Sequence, residues 1–225
     1  MSDESSYPVT IESVGEVTHD VRRFVIARPD GYTFEPGQAT EVRVDEEAWR
    51  DQPRPFTFTS LPDNPRLELT VKIYPDHDGV TERMGDLAAG DRLILGDAWG
   101  AITYTGPGTF IAGGAGVTPF IAILRDLEQR GELDGQRLLF SNKTADDIIL
   151  EGEFTRMLGD DFICTLTREE NDRYHHGRID ADFIESHAAD LDQPVYLCGP
   201  PEMVEDLSKV LADLGVDSDG LVVEE

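Results

Sequence analysis

Cysteine is nearly absent from this chain: Cys164 and Cys198 are the only two in 225 residues. An iron–sulfur cluster takes four thiolate ligands, so this chain does not supply one by itself, and any such centre belongs to a partner. The two thiols are far apart in sequence and set in apolar runs, which reads as buried side chains in a reducing cytoplasm rather than as a disulfide. Lysine is confined to Lys72, Lys143 and Lys209, and 46 acidic against 19 basic side chains leave a formal net charge of -27. Such a surface repels nucleic acid and anionic lipid and excludes both as partners. No apolar run approaches the roughly 18 residues of a membrane span, and residues 1–10 lack the basic and then apolar order of an export signal.

What is present is a dispersed acidic coat over periodic apolar segments. Two readings of the coat stay open. One is adaptation to high salt, where the screening length falls to roughly 3 Å at about 1 M and self-repulsion fades; the other is an acidic mesophilic enzyme of a GC-rich genome. Hydrophobic residues make up 39% of the chain, enough with this periodicity to build cores, so disorder is not expected. The length suits two compact domains, and a monomer is expected.

Up to about Gly100 the pattern is short alternating runs between turn residues. Residues 21–27, 39–44, 54–60, 67–73 and 92–95 read as strands, with one short helix over 82–88. Many short strands without a long helix imply an antiparallel barrel or sandwich. After Tyr104 the rhythm changes. Strands are expected at 109–112, 137–141, 162–167, 194–198 and 221–223, alternating with helices at 119–130, 147–157, 180–187 and 202–214, the pattern of a five-stranded parallel sheet covered on both faces. The join falls in residues 103–108, which divides the chain into 1–104 and 105–225.

Four segments carry chemistry. Gly113-Gly114-Ala115-Gly116-Val117-Thr118-Pro119 follows an apolar strand and opens an amphipathic helix. Its glycines permit a tight turn, Thr118 suits an N-cap, Pro119 suits the first helical position, and the free amides face an anion such as a pyrophosphate. The alternative is an ordinary strand-to-helix turn, which the context on both sides disfavours. Arg54-Pro55-Phe56-Thr57-Phe58-Thr59-Ser60 offers a guanidinium for phosphate, a ring to pack on a flat ring system and hydroxyls for ring heteroatoms; alone it is equally an edge strand. Val71 and Lys72 end a strand before Gly79-Val80-Thr81, whose amides and hydroxyl suit a second phosphate or a plain capped turn. Cys198-Gly199-Pro200-Pro201 lies at the carboxyl end of a parallel strand, where ligands of open α/β sheets gather. His175 and His176 lack further ligands at metal-binding spacing and read as a solvated loop, so no metal is expected.

In this order and on these elements the four segments resemble the ferredoxin-NADP reductase family, also described as flavodoxin reductases, over nearly the whole chain. The resemblance implies a two-domain fold: an N-terminal six-stranded antiparallel β-barrel holding FAD and a C-terminal parallel α/β domain binding NAD(P). Arg54, Phe56 and Thr57 match the family's Arg-x-Tyr-Ser/Thr flavin motif, with Pro55 between them. Gly79, Val80 and Thr81 match its pyrophosphate loop. Gly113, Gly114, Gly116, Thr118 and Pro119 match the nicotinamide-dinucleotide loop, and Cys198, Gly199 and Pro200 the motif beside the nicotinamide. Phe56 replaces the usual tyrosine, Asp97-Ala98-Trp99-Gly100 replaces a common Pro-x-Gly, and the chain ends at Glu224 and Glu225 without an aromatic terminus. Tyr7 or Trp99 are substitutes to cover the flavin ring.

The implied activity is electron transfer between NAD(P)H and ferredoxin or flavodoxin through FAD, with Thr57 bonding near flavin N5 and Cys198 packing beside the nicotinamide. Lys143, Arg168 and Arg178 occupy positions where relatives preferring NADP place cations, which favours NADP over NAD; salt bridging within an acidic surface is the competing account, and Glu169, Glu170 and Asp172 would repel a phosphate. Ferredoxin and flavodoxin partners are usually acidic, so either a local basic patch including Arg22, Arg23 and Arg50 or high salt is expected to relieve the repulsion. The alternatives are a reductase component of an oxygenase or cytochrome P450 system and a non-catalytic flavin electron-transfer subunit of a larger complex.

Overall fold

The computed structural model describes residues 6–75, 79–100 and 102–223; Glu224 and Glu225 lie outside them. The first half is built from strands β1 (Tyr7–Thr18), β2 (Val21–Ala27), β3 (Gln38–Val44), β4 (Arg54–Thr57) and β5 (Arg66–Lys72), a short helix α1 (Val80–Gly85), and β6 (Arg92–Gly100). Their period of two is explicit in the core. Val9, Ile11, Phe24, Ile26, Val42, Val44, Leu67, Leu69, Leu93 and Leu95 all join one apolar cluster, while most of the residues between them are exposed or half-buried.

The strands pair antiparallel in the order β4-β3-β6-β1-β2-β5. Just beyond β4 the chain turns from one edge to the other. The Phe58 N–H donates to the Gln38 carbonyl at 3.0 Å, the Thr59 N–H donates to the Glu68 carbonyl at 2.8 Å, and Phe58 bridges Leu69. This contact closes the sheet into a barrel and removes both free edges. Register shifts in β1 opposite β2, and in β3 opposite β6, supply the bends that closure needs.

The second half alternates. Strand β7 (Thr109–Gly113) leads through a 3-10 turn (Gly114–Val117) into α2 (Thr118–Arg130); then come β8 (Arg137–Asn142), α3 (Glu151–Leu158), β9 (Phe162–Leu166), β10 (His175–His176), α4 (Ala181–His187), β11 (Val195–Cys198), α5 (Pro201–Asp213) and β12 (Leu221–Val223). All six strands are parallel, in the order β10-β9-β8-β7-β11-β12. Phe120, Leu124 and Leu127 of α2 and Phe154 of α3 pack with Phe110 and Phe140 on one face, where Val21 and Ile102 of the first half join them. Ile184 of α4 and Leu207 and Leu211 of α5 pack with Ile111, Leu139 and Leu197 on the other. Each fully buried side chain of this size contributes about 1.5–3 kcal/mol.

Tyr196 fixes the join between the halves. Its hydroxyl accepts from the Thr105 and Gly106 N–H groups at 2.9 and 3.0 Å and donates to the Gly106 carbonyl at 2.7 Å, and its ring stacks on Phe110.

Four local expectations are corrected. Strand β1, 12 residues long, is hidden in sequence because its alternation breaks at the register shifts opposite β2. Residues 175–176 form a short sixth strand of the parallel sheet rather than a loop, although both histidines are exposed. Helix α3 starts at Glu151, not at 147: Asp147 closes a capping box, accepting from the Thr144 N–H at 2.9 Å and its hydroxyl at 2.6 Å, and Leu150 takes a left-handed φ of 54° before the helix. Thr118 is not an N-cap. Val117 holds that place, and the Thr118 hydroxyl donates to the Ala115 carbonyl at 2.9 Å.

Candidate functional site

The carboxyl ends of β7, β8 and β11 face the barrel across a cavity of about 610 Å³, within the range that encloses a ligand of substantial size. The barrel supplies Pro55, Phe56 and Thr57 from β4, Val71 and Lys72 from β5, and Thr81 from α1. The parallel sheet supplies Gly113, Gly114, Gly116 and Thr118 from the loop after β7, Lys143 after β8, and Cys198, Gly199 and Pro200 after β11. Four sequence segments with no common local signal thus meet in one space.

Six further predicted site residues lie outside this lining. Arg54 is exposed and donates to the Pro53 carbonyl at 2.8 Å. Gly79 is the N-terminal cap residue of α1. Val80 is buried in the barrel core, and Pro119 is buried at the second position of α2. Arg168 and Arg178 follow the ends of β9 and β10 at the surface. The Arg168 N–H nonetheless donates to the carbonyl of the cavity-lining Lys143 at 2.9 Å, and the Gly177 N–H beside Arg178 donates to the Leu166 carbonyl at 2.9 Å.

The loop after β7 explains its own glycines at two positions. Gly114 takes φ +51°, a left-handed conformation that costs an ordinary side chain roughly 1–2 kcal/mol. A Cβ on Gly116 would sit 2.5 Å from the Cys198 carbonyl oxygen and 2.6 Å from Gly199 Cα. The loops after β7 and β11 therefore touch backbone to backbone, and their amides open to the same space.

Several polar groups in the cavity lack protein partners. Asn142, at the end of β8, is 4% exposed, and neither its amide nitrogen nor its oxygen has a hydrogen-bond partner among the described residues. Buried polar groups are almost always paired, so this orphan marks the wall as one that meets a polar ligand or water. The hydroxyls of Thr57 and Thr81 likewise make no hydrogen bond to another described residue. These groups, with the glycine cradle, fit a phosphate-bearing dinucleotide with a flat aromatic ring.

Charge is distributed unevenly. Although acids outnumber bases more than two to one, the cations with no carboxylate partner among the described residues are Arg28, Arg54, Lys143, Arg168 and Arg178. Arg28 is caged by the carbonyls of Tyr32, Pro62 and Asn64. The remaining four are the cations singled out in sequence for phosphate contacts. By contrast Lys72 pairs with Asp20 at 2.5 Å. Burial works against the Asp20 charge, but the Lys72 hydrogen bond and charge outweigh it and hold the carboxyl below its usual range. Glu169, held low by the Ala145 N–H and the Asn171 amide at 2.9 and 2.7 Å, turns its carboxylate inward against the loop that carries Lys143.

Neither cysteine is in a disulfide, and both are buried. Burial pushes the Cys164 thiol up to about 12, which suppresses the reactive thiolate; Cys198 faces the cavity.

Three expectations fail. Tyr7 and Trp99 do not line the cavity: Tyr7 donates to Asp97 at 3.0 Å and packs edge-on against Tyr32. The aromatic that stands at its rim is Tyr74, 43% exposed, in the loop after β5, which no local pattern marks. The basic patch also dissolves. Arg22 faces Glu16, Arg23 faces Glu68, and Arg50 bonds Asp45, while β2 and β3 are not neighbours in the barrel. Sequence reading also missed Asn142, Asp147 and Met203 in the lining; a lone polar residue ending an apolar strand was the only signal available for the first.

Comparison with known proteins agrees with this geometry. Residues 110–209 match the family model described as Oxidoreductase NAD-binding domain. The chain is 28% identical over 218 residues to the ferredoxin–NAD(P)(+) reductase component of naphthalene 1,2-dioxygenase/salicylate 5-hydroxylase systems from a Ralstonia species, a match covering 92% of this chain and 65% of that protein's length. It is 30% identical over 229 residues to NADH-cytochrome b5 reductase 1 of Ajellomyces capsulatus, covering 92% of this chain and 73% of the relative. The fold superimposes on the FAD/NAD-binding domain of nitric oxide dioxygenase from Vibrio cholerae with a TM-score of 0.86 at 21% identity, over 96% of this chain and 97% of that one. Barrel, parallel sheet, shared cavity and these relatives together place the chain in the ferredoxin-NADP reductase family.

Proposed function

We propose that this chain is an FAD-dependent oxidoreductase that passes electrons between NAD(P)H and a one-electron carrier protein. The observation that carries this reading is the single cavity into which Phe56 and Thr57 of the barrel and the loops after β7 and β11 all open. Bound FAD supplies the conversion of a two-electron donor into single-electron output. The chain's own residues bind and orient. Phe56 offers a ring face, and the free Thr57 hydroxyl a hydrogen bond to a ring heteroatom. The unpaired Arg54 and the amides from Gly79 to Thr81 offer phosphate contacts. Gly113, Gly114 and Gly116 let the β7 loop approach a pyrophosphate, with Thr118 and Pro119 opening the helix behind it. Cys198, Gly199 and Pro200 form the wall beside a nicotinamide, and the small Cys198 leaves it room.

NADP(H) is favoured over NAD(H). Lys143, Arg168 and Arg178 follow the carboxyl ends of three adjacent strands, and leaving them unpaired in a chain so rich in carboxylates keeps their charge available for the extra phosphate. The acceptor we favour is ferredoxin or flavodoxin. A reductase component of an oxygenase system is the second reading, favoured by the Ralstonia relative's printed role and compatible with buried cysteines that leave any iron–sulfur centre to a partner.

The test is anaerobic titration of the FAD-reconstituted chain with NADPH and, separately, NADH. Bleaching of the flavin bands at much lower NADPH concentration is expected. A chain that takes up neither FAD nor FMN refutes the proposal, and equal response to both coenzymes refutes the preference.

A further inference from the structure

Helix α2 starts at Thr118, directly behind the nucleotide loop, and Arg125 lies seven residues along it, about 10 Å down the axis. The Arg125 side chain is 18% exposed and reaches across to the barrel. It donates to the Thr59 carbonyl at 2.6 Å and to Glu68 Oε1 at 2.8 Å, both in the barrel, and with its remaining donors to both oxygens of Glu153 on α3 at 2.6 and 2.9 Å. The Thr59 hydroxyl donates to Glu68 at 2.9 Å and shares a 3.1 Å contact with the Thr70 hydroxyl. Thr59 lies two residues after Thr57, and Thr70 lines the cavity. One guanidinium therefore binds the barrel strands that face the cavity to the helix that carries the β7 loop.

A second polar contact between the halves among the described residues is weak by comparison. His19 and Asp147 stand 3.9 Å apart with the histidine 61% exposed, where solvent screens the pair. Burial of Arg125 opposes its charge, but the hydrogen bonds and charges of Glu153 and Glu68 outweigh it and raise the guanidinium above its ordinary range. The planar fork satisfies four acceptor atoms on three residues in fixed directions, which a lysine ammonium cannot reproduce.

We propose that Arg125 is a positioning residue for electron transfer, setting the barrel's cofactor strand against the nucleotide loop so that two bound rings meet in register. The inference rests on the reading of the cavity as a joint flavin and nicotinamide site. A displacement of about 1 Å far from the chemistry can cost roughly a hundredfold in rate, and the Arg125 bonds tie Thr59, two residues after Thr57, to the helix that opens at Thr118.

The experiment compares Arg125→Met, Arg125→Lys, Glu68→Gln and Glu153→Gln in the FAD-loaded full chain. Three readouts are taken: FAD retention, hydrogen exchange of residues 59–70 and 118–125 in the flavin-free protein, and stopped-flow flavin reduction with the long-wavelength charge-transfer absorption that forms on mixing with NADPH. Expected are wild-type FAD retention, faster exchange in both segments, a weakened charge-transfer band and a ten- to hundredfold slower reduction in Arg125→Met, with Arg125→Lys between it and wild type. Glu68→Gln, which loosens the tie across the halves, should lose more than Glu153→Gln, which loosens a tie within one half. Unchanged reduction and charge-transfer absorption in Arg125→Met overturn the inference, as does a slow variant that also sheds FAD, because the role would then be plain stability. Wild-type protein that holds FAD but shows no NADPH-dependent reduction overturns the functional reading itself.

Discussion

Gly116→Ala tests whether the loops after β7 and β11 act as one surface. The added methyl would lie 2.5 Å from the Cys198 carbonyl oxygen and 2.6 Å from Gly199 Cα, nearly 1 Å inside ordinary contact, and neither neighbour is a flexible side-chain end. The backbones must separate by most of that overlap. Overpacking of this kind costs about 1–3 kcal/mol, and each kcal/mol shifts the midpoint by roughly 2–4 °C for a chain of this size. The same separation moves Cys198 relative to the glycine loop, so nucleotide-dependent flavin reduction should fall by roughly 10–100-fold, while FAD binding, which we assign to the barrel, is unchanged. Gly114→Ala is the contrast: nothing lies within 4 Å of its added methyl, and its cost is the left-handed φ, about 1–2 kcal/mol. The assay pairs thermal unfolding of the flavin-free protein with stopped-flow reduction of the FAD-loaded one. A Gly116→Ala protein with wild-type midpoint and reduction rate would refute the claim that the two loops are in obligatory contact.

Alanine at Lys143 and at Arg168 should each raise KM for NADPH about tenfold or more, as expected for a hydrogen bond to a charged group, and leave KM for NADH unchanged; parallel steady-state titrations check this. The folded-state pKa of Asp20 lies below its unfolded value, so its pairing with Lys72 stabilises the protein above about pH 4 and is lost as pH falls through the folded value. Urea midpoints of wild type and Asp20→Asn should differ at pH 7 and converge toward pH 3, and a constant gap would contradict the assignment. Tyr196→Phe removes the acceptor of two part-buried hydrogen bonds, from the Thr105 and Gly106 N–H groups, and should destabilise the chain by about 0.5–1.5 kcal/mol for each hydrogen bond lost, read by urea unfolding.

Much of the architecture was legible in the sequence because burial imposes periodicity. Alternation at Phe24 and Ile26 or Leu67 and Leu69 marks strands whose inner face enters a core, and the apolar runs ending at Gly113 and Cys198 mark strands buried on both faces. β1 escaped because its alternation breaks where its register against β2 shifts, between Ile11 and Ser13 and between Glu16 and Thr18, and no local pattern records its pairing with β2 and β6. The Thr118 cap was misread because the four residues Gly114–Val117 form a 3-10 turn before the helix, packed where Cys198 and Gly199 approach Gly116 from the end of β11. The basic patch failed for a related reason: residues at adjacent sequence positions face opposite sides of a strand, and each arginine met a carboxylate from elsewhere.

The sequence by itself determined the two layers of periodicity, the glycine loop and the identity of the cations fit for phosphate, since these follow from local sterics, side-chain chemistry and hydrophobic spacing. Tertiary structure alone decided that Phe56, Thr81, Gly114 and Cys198 share one cavity, that Asn142 is left without a partner, and that Lys143, Arg168 and Arg178 stay unpaired while Lys72 does not. Those outcomes depend on strand order, barrel closure and the Arg125 tie, which bring together residues as far apart in sequence as Phe56 and Cys198 and so leave no trace in any short stretch of chain.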